Sequence, residues 1–206
     1  MNCEALINTL RGPNFRIEDE RVLEALTRVP REAFVPEALK DRAWENRPLP
    51  IGENQTISQP YIVAFMTQAL ALEPGHRVLE IGAGSGYQAA ILADLVREVH
   101  SLEILEHHAA LARARLADLG FDNVTVYHRD GHLGLPEGAP FDRIIVTCAA
   151  RDLPHTLTEQ LSENGRLIIP MGNPGEQQNL LLYEKKNGQL AEKHLLPVVF
   201  VPMTGG

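Results

Sequence analysis

The densest run of residues able to do chemistry lies between Val78 and Tyr87, which reads Val-Leu-Glu-Ile-Gly-Ala-Gly-Ser-Gly-Tyr. An apolar run enters a glycine-rich turn, and a helical pattern leaves it. Glycines let a backbone turn tightly and come close to a ligand. Dinucleotide-binding turns space three glycines as G-x-G-x-x-G, with the next helix aimed at pyrophosphate. Here Gly82, Gly84 and Gly86 follow G-x-G-x-G, and the acidic Glu80 precedes them. An acid at that place repels pyrophosphate and attracts a cation. The turn therefore suits a positively charged ligand without phosphate. A glycine turn alone is also a common structural device.

Further polar residues fall at the ends of the strands that follow. Glu103 closes the next predicted strand, where a carboxylate can accept hydrogen bonds from both hydroxyls of a ribose. An acid there also suits the positive end of a helix, but beside residues 82–86 the ribose reading is favoured. Asp130-Gly131 follows the third strand. Asp130 can accept from an adenine amino group, although an Asp-Gly pair by itself is simply a turn. Thr147 ends the fourth strand and faces the same crevice, a place where structural threonines are also usual. Upstream, Ser58 stands two residues before Pro60, which suits the first position of a helix. Its hydroxyl can donate to a carboxylate, with the free N–H groups of a helix N-terminus close by. A serine before such a proline also reads as a helix cap.

The elements that must position these residues follow from periodicity. Val22, Leu23, Leu26 and Val29 share one helical face, and Pro30 ends that helix. Residues 42–59, with two prolines and a glycine, read as a long loop of the kind that often carries function. A helix starts at Pro60. Strands are predicted over 77–81, 98–102, 124–127, 143–147 and 166–169, and helices over 87–96, 106–119 and 153–161. This alternation predicts a parallel sheet covered on both faces. The ending differs: strands over 180–183 and 195–201 flank Asn187-Gly188, a strong hairpin signal. The chain divides into an N-terminal helical extension with the loop, residues 1–72, and a strand–helix core, residues 73–206.

Bulk properties narrow the partners. The 206 residues carry a formal net charge of −8, and no basic run exceeds Lys185-Lys186. Nucleic acid is therefore not expected as a partner. Cys3 and Cys148 make no disulfide framework, the first residues lack a signal-peptide pattern, and no apolar stretch is long enough to span a membrane. A cytoplasmic protein is expected, with a monomer as the default. His128 and His132 lack a second ligand pair, so no metal is expected. His107-His108 reads as solvated, Cys148 as a small residue packed in the sheet, and Trp44 as either a substrate contact or a loop anchor.

With these residues in view, the chain resembles the protein-L-isoaspartate O-methyltransferases. Leu49-Pro50-Ile51-Gly52-Glu53-Asn54-Gln55-Thr56-Ile57-Ser58-Gln59-Pro60-Tyr61 resembles that family's signature loop, and Val29-Pro30-Arg31-Glu32-Ala33-Phe34-Val35-Pro36 its N-terminal motif. Residues 78–88, 142–149 and 200–204 match in the same order. Cys148 departs from the usual small residue. The resemblance implies a class I S-adenosylmethionine-dependent methyltransferase fold of the α/β type: Rossmann-like, with a mostly parallel sheet, a C-terminal antiparallel hairpin and the N-terminal helical extension. It implies methyl transfer from S-adenosyl-L-methionine, leaving S-adenosyl-L-homocysteine, to the α-carboxylate of L-isoaspartyl residues in damaged proteins and peptides. The ester then cyclises to a succinimide that can reopen to aspartate. Ser58 would be the active-site serine, Thr56 and Ile57 would help enclose the cofactor, and Thr204 would close over the site. The alternatives are a methyltransferase of the same fold acting on another carboxylate, a nicotinamide dehydrogenase, and a non-catalytic cofactor-binding module.

Overall fold

The structure is a computed structural model that describes residues 1–173 and 175–205. Two short helices open the chain. In α1 (Cys3–Arg11) the Asn2 side chain accepts from the Ala5 amide, and in α2 (Glu20–Arg28) Asp19 accepts from Arg21. Both acceptors satisfy amides that a helix start leaves without partners. Two 3₁₀ turns follow, Arg31–Phe34 and Glu37–Arg42.

The segment expected to be a plain loop holds a small antiparallel hairpin, β1 (Leu49–Gly52) and β2 (Gln55–Ile57). Its turn places Gly52, Glu53 and Asn54 at φ of 98°, 49° and 58°. Prolines and strands this short conceal the alternation by which sequence reveals a strand. Helix α3 (Pro60–Ala69) starts at the expected proline. Its C-terminal carbonyls are met by arginines from the sheet. Arg143 donates to Leu70 and Ala71, and Arg166 donates to Ala69. Cations there also oppose the negative end of the helix dipole.

The core alternates as expected: β3 (Arg77–Ile81), α4 (Tyr87–Ala93), β4 (Glu98–Glu103), α5 (Glu106–Asp118), β5 (Val124–His128), β6 (Phe141–Val146), α6 (His155–Glu159), β7 (Leu161–Met171), β8 (Gln178–Lys186) and β9 (Gln189–Val198). The sheet order is β5-β4-β3-β6-β7-β8-β9. The first five strands run parallel, and β8 and β9 are antiparallel. Strand order reverses between β3 and β6, and crevices for ligands open at such a reversal, beyond the carboxyl ends of the strands.

Each sheet face buries its own core. Val78, Val99, Ile145, Ile168 and Leu180 pack with apolar residues of α1 to α4, so the 1–72 segment shares a core with the sheet. Leu79, Ile81, Ile144, Val146 and Leu167 pack on the other face with Leu157 of α6.

Several boundaries differ from expectation, most plainly in α6 and β9. Helix α6 is only five residues, because the chain enters β7 at Leu161. Strand β9 starts six residues earlier than its apolar run suggests, since it is an edge whose first half is solvent-exposed. It also stops at Val198, and the tail crosses to Ala149, whose amide donates to Val201 and whose carbonyl accepts from Met203.

The predicted turn at Asn187-Gly188 is present, with φ of 53° and 73°. Gly188→Ala is expected to destabilise the protein by about 1 kcal/mol, because a Cβ disfavours the left-handed region. Gly75→Ala, which meets nothing within 4 Å and has no left-handed φ, is expected to be near neutral. Denaturant midpoints of the two variants check this.

Candidate active site

A cleft with about 810 Å³ of empty space opens at the strand-order reversal. Its floor is the glycine turn after β3. The Thr147 amide and hydroxyl both donate to the Ile81 carbonyl, at 2.9 and 3.0 Å, and the hydroxyl also contacts the Gly82 carbonyl oxygen at 2.6 Å. This approach is so close that a Cβ on Gly82 would lie 2.5 Å from Thr147 Oγ1. From the opposite side, Glu103 Oε2 accepts from the Gly84 amide at 2.8 Å, and Oε1 accepts from Leu105 at 2.9 Å. Glu103 therefore braces the turn and the start of α5 while lining the cleft.

Two other segments wall the cleft. The β1–β2 hairpin lies over the turn, with Ile51 Cδ1 at 3.6 Å from a Cβ built on Gly84, and it brings Thr56, Ile57 and Ser58 to the lining. The tail brings Val201, Pro202, Met203 and Thr204. Gly131 also lines the cleft, where a Cβ would collide with Ile81 and come within 3.3 Å of Met203 Cε.

A second cavity, with about 950 Å³ of empty space, adjoins the first. Pro48, Ile62, Pro197, Val199 and Phe200 give it an apolar wall, and Gln59 and Gln177 add polar groups. Thr56, Ser58, Thr147 and Val201 line both chambers. Ser58 thus stands at their common boundary. It is not a helix cap: Gln59 is the cap residue of α3 and contributes no side-chain bond. The helix mouth offers less than the sequence suggests. Pro60 has no N–H, and Tyr61 donates to Asn46 Oδ1 at 3.0 Å.

Three expected site residues do not themselves form the cleft wall. Glu80 is fully buried in β3, where its carboxyl bonds the Ser101 hydroxyl of β4 and its Oε1 has no partner. Burial, opposed by Ser101 and reinforced by Glu103, pushes its pKa up to about 8. A neutral acid inside the sheet lacks the charge that made it attractive to a cation. Gly86 starts α4 at φ 90° and packs on Ala112, which places it behind the turn. Asp130 turns to His132, accepting from its amide at 2.9 Å, and the tail covers it, with a Cβ built on Gly205 only 2.5 Å from Oδ2.

The sequence pattern described as "Protein-L-isoaspartate(D-aspartate) O-methyltransferase" matches residues 1–206. The chain belongs to that family. A protein-L-isoaspartate O-methyltransferase 2 from Polaromonas sp. is 52% identical over 91% of this chain and 89% of its own length. A solved protein-L-isoaspartate O-methyltransferase superposes with a TM-score of 0.90 at 30% identity, covering 99% of this chain and 66% of the other. Another, from Plasmodium falciparum in complex with S-adenosyl-L-homocysteine, gives 0.87 at 27% identity and covers 99% of both chains. The chain is thus an S-adenosyl-L-methionine-dependent methyltransferase with the Rossmann-like fold that the sequence implies.

Within this family architecture, the structure brings Thr56, Ile57, Ser58, Gly82, Gly84, Glu103, Gly131, Thr147 and Thr204 into one cleft. Among the lining residues that sequence reasoning missed are Gln88, Met203 and Cys148. Cys148 packs against the sheet core as expected, just past β6, and it also lines the cleft. Burial and Glu103 push its thiol up to about 12, which keeps it a poor nucleophile. His108 is buried, not solvated, with Nε2 3.4 Å from Glu53 Oε2 of the hairpin turn. Trp44 packs partly buried against the core and so anchors its loop.

The Glu80 environment has a measurable consequence. A carboxyl whose folded pKa is raised stabilises the fold fully below its unfolded value, and that contribution is lost as pH rises through the folded value. The window here runs from about 4.5 to about 8. Glu80→Gln is expected to match the parent near pH 4 and to be more stable by roughly a few kcal/mol near pH 8.5. Thermal unfolding at the two pH values checks this.

Proposed function

We propose that this chain transfers a methyl group to the α-carboxylate of L-isoaspartyl residues in damaged proteins and peptides, with Ser58 holding that carboxylate. The observation that carries the reading is the position of Ser58 at the boundary of the two chambers. The residues of the first chamber fit S-adenosyl-L-methionine: a glycine backbone wall, one carboxylate at Glu103, and a cover of Thr56, Ile57 and Thr204. In this reading Glu103 receives the ribose hydroxyls, and the backbone from Gly82 to Gly84, with Gly131 and Thr147, shapes the wall. Glu80, Gly86 and Asp130 act behind that wall. When bound, the cofactor supplies an electrophilic methyl group.

The residues of the second chamber then have a simple task. A carboxylate nucleophile has a pKa near 4 and is already ionised at pH 7, so no general base is required. What remains is position and exclusion of water. The Ser58 hydroxyl donates to the acceptor carboxylate and aims it at the first chamber, while the apolar wall of Ile62, Pro197 and Phe200 dries the approach. The 1–72 segment and the 73–206 core work together as one unit, since the hairpin and Ser58 come from the first and the cofactor wall from the second.

The reading includes a monomer acting in the cytoplasm on protein substrates, without nucleic acid or membrane as partners. The net charge of −8 supports it. Among the described residues, no helix is long and apolar enough to cross a membrane.

The test is transfer of labelled methyl to paired peptides that differ only in isoaspartate or aspartate at one position. Labelling of the isoaspartyl peptide alone is expected, and equal labelling of both would overturn the substrate assignment. Ser58→Ala should lower kcat by about 10- to 100-fold, the worth of one hydrogen bond to a charged group. Its dissociation constant for S-adenosyl-L-homocysteine should stay within about twofold, as calorimetry would show.

A further inference from the structure

Arg31 is fully buried, the largest side chain in the protein to be so. A buried cation is costly unless its hydrogen bonds are met. This one is held by two carbonyl oxygens and an aromatic face, its Nη1 is left without a hydrogen-bond partner, and no carboxylate is in ion-pair contact among the described residues. Nε donates to the Ala43 carbonyl at 2.8 Å, and Nη2 donates to the Ser58 carbonyl at 2.7 Å. The guanidinium lies over the Tyr87 ring, 4.8 Å from its centroid. These contacts fall on the start of the 43–58 segment, on its end, and on the first residue of α4 after the glycine turn. One planar group therefore ties both ends of the segment that carries the hairpin, and references them to the wall of the cofactor chamber.

The contact with Ser58 is specific in its consequence. Its carbonyl belongs to the peptide plane between Ser58 and Gln59, so a donor that fixes this oxygen fixes ψ of Ser58. On the other side, Ile57 is paired with Leu49 in the hairpin. Gln59 is also tied, through Nε2 to the Asn46 carbonyl at 3.0 Å. The backbone on both sides of Ser58 is thus determined, and with it the direction of its Cα–Cβ bond.

We propose that Arg31 is a positioning residue for methyl transfer, acting through the Ser58 carbonyl to aim the Ser58 hydroxyl at the boundary of the two chambers. The proposal rests on the reading of Ser58 given above. It requires the geometry of a guanidinium: a lysine keeps the charge and the stem but cannot present two fixed donors to two carbonyls while stacking on a ring. A misplacement of about 1 Å can cost on the order of 100-fold in rate.

Arg31→Ala removes so much buried volume that loss of fold would be uninformative, so Arg31→Lys is the variant of choice. Methyl transfer to the isoaspartyl peptide is measured for the parent, Arg31→Lys, Ser58→Ala and the double variant. Binding of S-adenosyl-L-homocysteine is followed by calorimetry, and hydrogen exchange is followed along the chain. In Arg31→Lys, kcat should fall at least about 10-fold, while the KM for cofactor and the S-adenosyl-L-homocysteine dissociation constant stay within about twofold. Exchange should quicken over residues 43–60 and not in the sheet. Adding Arg31→Lys to Ser58→Ala should change kcat by less than about twofold, because both lose the same hydrogen bond. The proposal falls if Arg31→Lys turns over like the parent, or if it no longer binds S-adenosyl-L-homocysteine, which would mark a role in the whole fold. It also falls alone, with the Ser58 reading intact, if Ser58→Ala is impaired and the two losses multiply. If Ser58→Ala is undiminished, the Ser58 reading falls first and takes the proposal with it.

Discussion

Strand β3 is the pivot of the sheet. Strands β4 and β5 lie on one side of it, and β6 to β9 lie on the other. At its carboxyl end the chain must leave the sheet between two diverging neighbours, and both neighbours clamp it. Thr147, just past β6, holds the Ile81 carbonyl and contacts the Gly82 carbonyl oxygen, and Glu103, at the end of β4, holds the Gly84 amide. The clamp leaves no room for a side chain at Gly82. The need for glycine there is therefore set by the sheet as much as by a ligand. A rigid, bare backbone at the crevice is the surface on which the other walls are built.

Those walls come from parts of the chain outside the parallel sheet, and each is anchored by ordinary packing. The hairpin follows an extension whose Leu6, Leu10, Leu23, Leu26 and Phe34 are fully buried in the same core as the sheet. Phe34 meets Tyr87 edge-on at 5.5 Å, directly behind the glycine turn. The tail is tied by strand-like bonds to Ala149 and by the Phe200 amide to Gln178 Oε1 at 2.7 Å. Neither wall needs a hydrophobic core of its own. Each borrows rigidity from the sheet, which is how short segments keep side chains in register across a cleft.

The parts legible in the sequence were those whose signal is local. Five parallel strands and the long helices carry strong periodicity, Pro60 marks the start of α3, and Asn187-Gly188 marks the terminal turn. The β1–β2 hairpin was hidden by strands of three and four residues. The exposed half of β9 was hidden because an edge strand in water has no apolar face to show. In the site, Glu103, Gly82 and Gly84 line the cleft as their spacing suggests, because strand ends are fixed by topology. Spacing could not reveal that Glu80 is buried, since that depends on which face of β3 it occupies. Positions alternate along a strand, so Glu80 shares its face with Val78 and leaves the other to Leu79 and Ile81. It also misjudged His108, because its burial is supplied by a hairpin turn distant in sequence.

In the proposed reading the acceptor arrives already ionised, and charge placement must let it approach. The protein carries a formal net charge of −8 and must receive an ionised carboxylate. An acid facing the second chamber would oppose that anion, and among the described residues none lines it. Of the two acids nearest the glycine turn, Glu103 lines the first chamber and not the second, and Glu80 is buried, which pushes its pKa up to about 8. Behind Ser58 lies the buried guanidinium of Arg31, whose partners are dipoles with no net charge. A carboxylate partner would cancel its field, whereas carbonyls and an aromatic ring leave part of it directed through the loop. Burial lowers its pKa, and Tyr87 offsets some of that cost. An arginine still remains charged there, since its ordinary value lies so far above neutrality. In the proposed reading, a buried guanidinium stands behind Ser58 on the acceptor side and the Glu103 carboxylate lines the cofactor side, the polarity that would bring a carboxylate up to a cationic methyl donor.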